Sequence, residues 1–294
     1  MVKITCFGEV LWDVFPTKKM IGGAPLNVAN RLQSLGNQVS MVTAIGNDDD
    51  GKQILDFIKQ TGMESHAIQI HENYQTGSVK VMLNDKGSAT YDIEYPRAWD
   101  KIELTAINAN LVKNADAFVF GSLVARDSTS KNTLYNLIEL ATFNIFDLNL
   151  RPPYYSKEVL IHLMNKADFI KFNDDELYEV SKMLGSKYLS LEQNLNFIAE
   201  TTNTKQICVT KGSHGAVLLY HDKLYYNSGY LIDVVDTVGA GDSFLGSLIH
   251  KLLNKAQPQQ AIDFACAVGA MVAQREGANP VLSTLEIESF INPY

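Results

Sequence analysis

Cysteine is scarce in this chain, and its three cysteines, Cys6, Cys208 and Cys266, stand far apart with no CxxC pair. That spacing excludes a cysteine zinc site and reads as small buried hydrophobes in a reducing compartment. The six histidines (His66, His71, His162, His214, His221 and His250) show neither HxxxH nor HExxH spacing, so none is assigned as a ligand. No run of about 18 apolar residues occurs, so no membrane span is expected. The opening Met1–Glu9 lacks the long apolar segment and small-residue cleavage site of a signal peptide. The expectation is a cytoplasmic protein. Positive charge is in deficit, with 25 Lys and Arg against 33 Asp and Glu and a net charge of −8. This argues against nonspecific nucleic-acid binding, which draws its affinity from cations on phosphates. It leaves room for a local anion site built from backbone amides. A Walker A loop (GxxxxGK[ST]) is absent, as is GxGxxG after the first strand-like run. Repeats, low-complexity stretches and Pro, Gly or Ser-rich linkers are absent too.

What remains is a chain of 294 residues, 46% hydrophobic, with ample apolar content for a large core. Short apolar runs alternate with helical stretches. Strands are expected at Val2–Phe7, Val39–Ala44, Ala117–Phe120, Asn144–Leu148, Phe169–Phe172 and Gln206–Thr210. Helices are expected at Asn27–Leu35, Asp50–Gln60, Lys131–Ala141, Val159–Ala167, Asp174–Leu184 and Leu191–Thr201. Gly36 and Gly62 follow the first two as helix terminators. This alternation predicts an α/β fold with a mostly parallel central sheet covered on both faces. Two segments break the rhythm. Val10–Phe15 and the strands Ala67–Ile70, Gly77–Leu83 and Thr90–Tyr95 lack intervening helices, and Asn84-Asp85-Lys86-Gly87 is a hairpin turn. They predict a small antiparallel sheet, drawn from about residues 10–22 and 66–100, that covers a substrate site as a lid inserted in a single domain of residues 1–294. Near the C-terminus, Ala216–Tyr220 and Leu224–Asn227 form a hairpin through His221-Asp222-Lys223. Helices follow at Asp242–Asn254, Pro258–Gln274 and Thr284–Ile291.

The most informative segment is Asp236-Thr237-Val238-Gly239-Ala240-Gly241-Asp242-Ser243-Phe244, which follows a strand-like run, Leu231–Val235, and opens an apolar helix. Two glycines before a helix let the backbone turn tightly and aim several N–H groups at one spot. With the helix dipole they make an anion hole. Asp242 at its rim suits proton abstraction from a hydroxyl that attacks a phosphoryl group. Taken alone, the segment reads first as an N-cap and a turn, because short glycine motifs are common. A second glycine turn, Gly22-Gly23-Ala24-Pro25-Leu26-Asn27, also enters a helix. Asp13 and Asn27 lie beside tight backbone, suited to gripping sugar hydroxyls or to ordinary turn and capping chemistry.

Together these segments resemble the PfkB, or ribokinase-like, carbohydrate kinases. The Gly-Ala-Gly-Asp turn is similar to the second signature of that family. The Gly22-Gly23 region, continuing to Gly46-Asn47-Asp48-Asp49-Asp50-Gly51, is similar to the first. The resemblance runs from about Lys3 to Pro280. It implies a three-layer ribokinase-like sandwich with a small β-sheet lid. Gly-Ala-Pro-x-Asn-Val-Ala, Asp147-Leu148-Asn149-Leu150-Arg151-Pro152 and Gly8-Glu9-Val10-Leu11-Trp12-Asp13 resemble the fructokinase branch. The resemblance implies Asp242 as base, Gly239, Ala240 and Gly241 as anion hole, and Asp13, Gly23 and Asn27 as sugar ligands. It places Asn173 and Glu176, in Asn173-Asp174-Asp175-Glu176, around Mg2+ through water, a role that suits hard oxygen ligands. The same element also reads as an Asx cap followed by an acidic first turn. Thr210, Lys211 and Gly212 fall where the family binds ATP, with Lys211 open to phosphate contact or to solvent. Asn279 falls near the adenine pocket. Carbonyls of Asp236, Val238, Arg275 and Gly277 match a monovalent cation (K+) site. Arg97, in Tyr95-Pro96-Arg97-Ala98, departs from the Arg-Pro pattern of many fructokinases and is open to sugar contact or to a surface charge.

The implied activity is ATP-dependent phosphorylation of a small sugar, with fructose to fructose 6-phosphate first. Alternatives are ribose, 2-keto-3-deoxygluconate or a nucleoside as acceptor, or a non-catalytic sugar or nucleotide sensor. The partners implied are sugar and ATP, with neither nucleic acid nor membrane. A homodimer through the lid is expected, because an isolated sheet leaves edges to cover.

Overall fold

A computed structural model describes residues 1–83 and 89–293. The turn expected at Asn84–Gly87 lies outside the described residues. The first half runs β1 (Lys3–Phe7), β2 (Leu11–Val14), β3 (Lys19–Gly22), α1 (Ala24–Ser34), β4 (Gln38–Gly46), α2 (Asp49–Gln60), β5 (Ile68–His71), β6 (Gly77–Leu83), β7 (Ala89–Ile93), α3 (Ala106–Lys113) and β8 (Ala117–Gly121). The second half runs α4 (Ser128–Ile138), β9 (Asn144–Asp147), α5 (Lys157–Lys166), β10 (Phe169–Asn173), α6 (Asp174–Leu184), α7 (Leu191–Thr202), β11 (Gln206–Thr210), β12 (Ala216–Tyr220), β13 (Lys223–Asn227), α8 (Ala240–Leu253), α9 (Pro258–Ala273) and α10 (Thr284–Ile291).

Among the described residues, nine strands form the main sheet in the order β13-β12-β11-β10-β9-β8-β1-β4-β5. From β11 to β5 every neighbour is parallel, and only the β11-β12-β13 edge is antiparallel. The strands read as near-continuous apolar runs because both faces are buried. One face packs Phe7, Phe118, Phe120, Phe146, Ile170 and Phe172 under α4 to α7. The other packs Cys6, Met41, Val119, Ile145, Phe169 and Cys208 under α1, α8 and α9. Each Phe, Ile, Val or Met among them, fully withdrawn from water, contributes about 1.5–3 kcal/mol. The three cysteines are buried and free. Among the described residues no helix is long and apolar enough to cross a membrane.

The second sheet, in the order β3-β2-β6-β7, is separate from the first and is formed by the segments expected to make a lid. It is mixed rather than wholly antiparallel, because β2 and β6 run parallel, pairing Leu11 with Gly77. One strand expected in it belongs elsewhere: β5 bonds to β4 and forms the edge of the main sheet. The run Leu231–Val235 is not a strand. It has no neighbouring strand to pair with, and Val235 and Asp236 instead donate to the Ala273 carbonyl at the end of α9. Leu231, Val234 and Val235 are exposed, so their apolar character marks no core position.

Arg126 fastens the second sheet to the body. Its side chain is 2% exposed, pairs with buried Asp100 at 2.7 Å, and donates to the carbonyls of Ile93 and Glu94 at the end of β7. Its guanidinium lies 4.0 Å from the Trp99 ring centre, a cation–π contact. Between β2 and β3, Lys18 pairs with Glu276.

Candidate active site

The connection order reverses between β1 and β8, so a crevice is expected at the carboxyl ends of the parallel strands near that point. Glu9 follows β1, Asp147 ends β9, Asn173 ends β10 and Thr210 ends β11. All reach this edge.

Gly239 is the N-cap of α8, in the left-handed region at φ 74°. A side chain there would place its Cβ 2.6 Å from Ala278, so glycine is required on both counts. Asp242 is not the N-cap. It stands at the third position of the helix, among first-turn amides that lack intrahelical acceptors. This gives the Gly239–Gly241 turn the form of an anion hole beside a carboxylate.

Asn27 of α1 donates from Nδ2 to Asp242 Oδ2 at 2.8 Å. Asn279 in turn donates to Asn27 Oδ1 at 2.8 Å. Asn27 and Asn279, assigned from sequence to sugar and adenine, are thus joined in one line that ends on Asp242. One turn further along α1, buried Arg31 donates to Ser243 Oγ at 3.3 Å and to the Pro280 carbonyl at 3.0 Å. Gly23, at φ 110°, is the N-cap of α1, and a side chain there would strike the Glu9 carbonyl at 2.4 Å.

Burial, reinforced by the charge of Asp147, pushes the Asp242 carboxyl up to about 6. Burial likewise pushes Asp13 up to about 6 and Glu9 up to about 7. Arg151 opposes the shift in all three. Arg97 is engaged elsewhere: it pairs with Glu94 and donates to Gln75. Arg151 is the cation whose charge acts on both Asp13 and Asp242. Asp13 Oδ2 sits where a Gly22 side chain would be, 2.3 Å from that Cβ position.

Asn173 and Glu176 form a reciprocal capping box at the start of α6. Glu176 Oε2 accepts from Asn173 N and Oε1 from Leu150 N, both at 2.8 Å. The carboxylate is 7% exposed and rigidly held, and it retains lone pairs for a water of a hydrated divalent ion. Among the described residues no three His, Cys, Asp or Glu side chains converge as a direct metal cage. Asp236 accepts from Val238 N at 3.0 Å and from Gly277 N at 3.1 Å, which brings together the two loops expected to supply cation-binding carbonyls. Arg275 turns its side chain to Val281 and Glu286. At the end of β11, Lys211 N donates to the Gly215 carbonyl, and Gly212 turns at φ 54°.

Glu9 and Arg151 carried no sequence assignment, and neither did Lys171 and Asp147. Lys171 and Asp147 form a buried ion pair at 2.9 Å. Burial works against the Lys171 charge, but Asp147, Glu176 and Asp242 outweigh it and raise its pKa. A side chain on Gly241 would place its Cβ 3.8 Å from Lys171 Nζ, so the ammonium stands beside the first turn of α8. The signal was present in Phe169–Phe172, where a charged residue interrupts a buried strand.

A family model described as pfkB family carbohydrate kinase matches residues 2–285. "Probable fructokinase-3" of Arabidopsis thaliana is 29% identical over 98% of this chain and 91% of its own length. A Vibrio cholerae fructokinase double mutant, solved with fructose, ADP and potassium ion bound, superposes with a TM-score of 0.85 at 22% identity over 99% of each chain. Aminoimidazole riboside kinase of Salmonella enterica, solved with aminoimidazole riboside and an ATP analogue, gives 0.83 at 22% identity over 99% of this chain and 100% of its own. With the match spanning nearly its whole length, this chain belongs to the pfkB family of carbohydrate kinases.

Proposed function

We propose that the protein transfers the γ-phosphate of ATP to a primary hydroxyl of a small free sugar, with fructose the first acceptor and fructose 6-phosphate the product. The observation that carries this reading is Asp242, held by Asn27 at 2.8 Å one residue beyond the Gly239–Gly241 turn. Asp242 takes the proton of the attacking hydroxyl, a contribution of about 10²–10⁴-fold. The first-turn amides of α8 meet the negative charge that develops on the phosphoryl oxygens. Asp13 and Gly23 face the sugar, and Arg151 offsets the charge of the surrounding carboxylates. The fructokinase relatives support fructose over other acceptors. The riboside kinase likeness keeps nucleosides in the panel.

Thr210, Lys211 and Gly212 border the nucleotide side. Glu176 and Asn173 would hold Mg2+ through water, and Mg2+ supplies charge neutralisation on the phosphates. The Asp236–Val238 and Arg275–Gly277 loops are the proposed K+ site. The lid sheet is the proposed homodimer surface, which light scattering tests.

The deciding experiment is coupled ADP release with MgATP and fructose, ribose, glucose, 2-keto-3-deoxygluconate or adenosine. Turnover with fructose alone establishes the reading. Turnover with another acceptor keeps the kinase and moves the specificity. ATP binding without turnover on any acceptor favours a sensor.

A further inference from the structure

We propose that Asp147 and Lys171 form one functional unit of the phosphoryl-transfer site, in which the Lys171 ammonium meets the transferring phosphoryl group and Asp147 is its positioning residue. This rests on the kinase reading above and names a part of the same site. The two residues face each other in register on adjacent parallel strands, β9 and β10. They lie on the sheet face otherwise built from Ile145, Phe169 and Cys208, at the end nearest α8. Their side chains are 5% and 8% exposed. A buried ion pair is seldom more stable than an apolar pair of the same volume, so stability does not account for it.

Three features point to a ligand. Lys171 Nζ has three donors, and among the described residues its acceptor is Asp147 Oδ1 alone. Gly241 keeps the space before that ammonium open, since the nearest atom to a Cβ placed there is Nζ itself at 3.8 Å. Asp147 Oδ2 is buried without a partner, a cost that is tolerated where a buried polar group serves a site. A carboxylate on one side of an ammonium fixes where its remaining N–H groups point. Here they face the first turn of α8, where phosphoryl oxygens would lie.

The test compares wild type with Lys171→Met, Asp147→Asn and the neutral double variant Asp147→Asn/Lys171→Met. Readouts are kcat and KM with MgATP and the panel sugar that wild type turns over, together with Tm. The expected result is a double variant that melts within a few degrees of wild type but has lost about 10²-fold in kcat, with sugar KM unchanged. Asp147→Asn, which keeps the Lys171 ammonium but replaces its charged partner with a neutral one, is expected to lose about tenfold. A double variant that recovers wild-type kcat overturns the proposal and makes the pair structural. If wild type turns over no sugar, the kinase reading fails separately. The pair is then tested by calorimetric titration with MgATP, where binding at least tenfold weaker in the double variant supports the proposal and equal affinity overturns it.

Discussion

Asn27 holds Asp242 by a single directed hydrogen bond, Nδ2 to Oδ2 at 2.8 Å, across 215 residues of sequence. The amide cannot reverse without cost, because its oxygen accepts from Asn279 at 2.8 Å. A hydrogen bond to a charged group contributes about 1.5–3 kcal/mol. Asn27→Ala is therefore expected to lower kcat about 10–100-fold, at 1.36 kcal/mol per decade. Asn27→Asp sets two carboxyls against each other and is expected to move the acid limb of the rate profile upward by more than one pH unit. Steady-state kinetics across pH 5–9 check both.

Asp242→Asn keeps the shape and the Asn27 contact but removes the base. It is expected to fold and bind sugar while losing about 10²–10⁴-fold in kcat. Unchanged turnover would remove Asp242 from that role.

The wild-type rate should show its acid limb near pH 6, not near the ordinary aspartate value of 3.8, because burial and Asp147 raise the Asp242 carboxyl to about 6. The base works deprotonated, so kcat/KM rises with pH through that value and then levels. Lys171 and Arg151 oppose the shift, so neutralising Arg151 is expected to move the limb upward.

The two glycines of the turn should fail differently. Gly239→Ala forces a methyl against Ala278 at 2.6 Å with φ at 74°, and is expected to lower stability by at least 1–3 kcal/mol. Gly241→Ala has room, with only Lys171 Nζ at 3.8 Å, and should fold normally while its methyl intrudes on the anion hole. Thermal melts and kcat, measured together, separate the two.

Glu9 is 2% exposed, and its Oε2 has no hydrogen-bond partner. Burial carries its carboxyl from 4.5 to about 7. The folded state binds the proton more tightly than the unfolded chain, so this favourable term is complete below pH 4.5 and is lost as pH rises through 7. The loss amounts to about 3 kcal/mol at 1.36 kcal/mol per pH unit. Glu9→Gln removes the titration, so its Tm relative to wild type should climb between pH 5 and pH 8. A difference that does not vary with pH would count against a buried, titrating Glu9.

Strand and helix alternation was legible because parallel strands buried on both faces read as apolar runs, and caps such as Asn173 and terminators such as Gly62 punctuate the helices. Gln206–Thr210 and Asp174–Leu184 were bounded to the residue. Leu231–Val235 misled for the same reason. An apolar run looks like a strand whether or not a partner strand exists, and here none lies beside it. Ala67–Ile70 was seen as a strand but put in the lid, since strand pairing is a long-range choice that local pattern does not encode; the observed strand, Ile68–His71, bonds to β4.

By itself the sequence determined the α/β class, the two glycine turns and the aspartate beside the second, because tight backbone and helix starts need particular residues locally. Only the tertiary structure decided which polar side chains share the site. It brought Asn27 and Asn279 to Asp242, took Arg97 away to Glu94, and brought in Lys171 and Asp147. A strand fixes which face a side chain takes, but what stands opposite depends on which distant helix the sheet packs against. Here that helix is α8, whose first turn lies over the ends of β9 and β10.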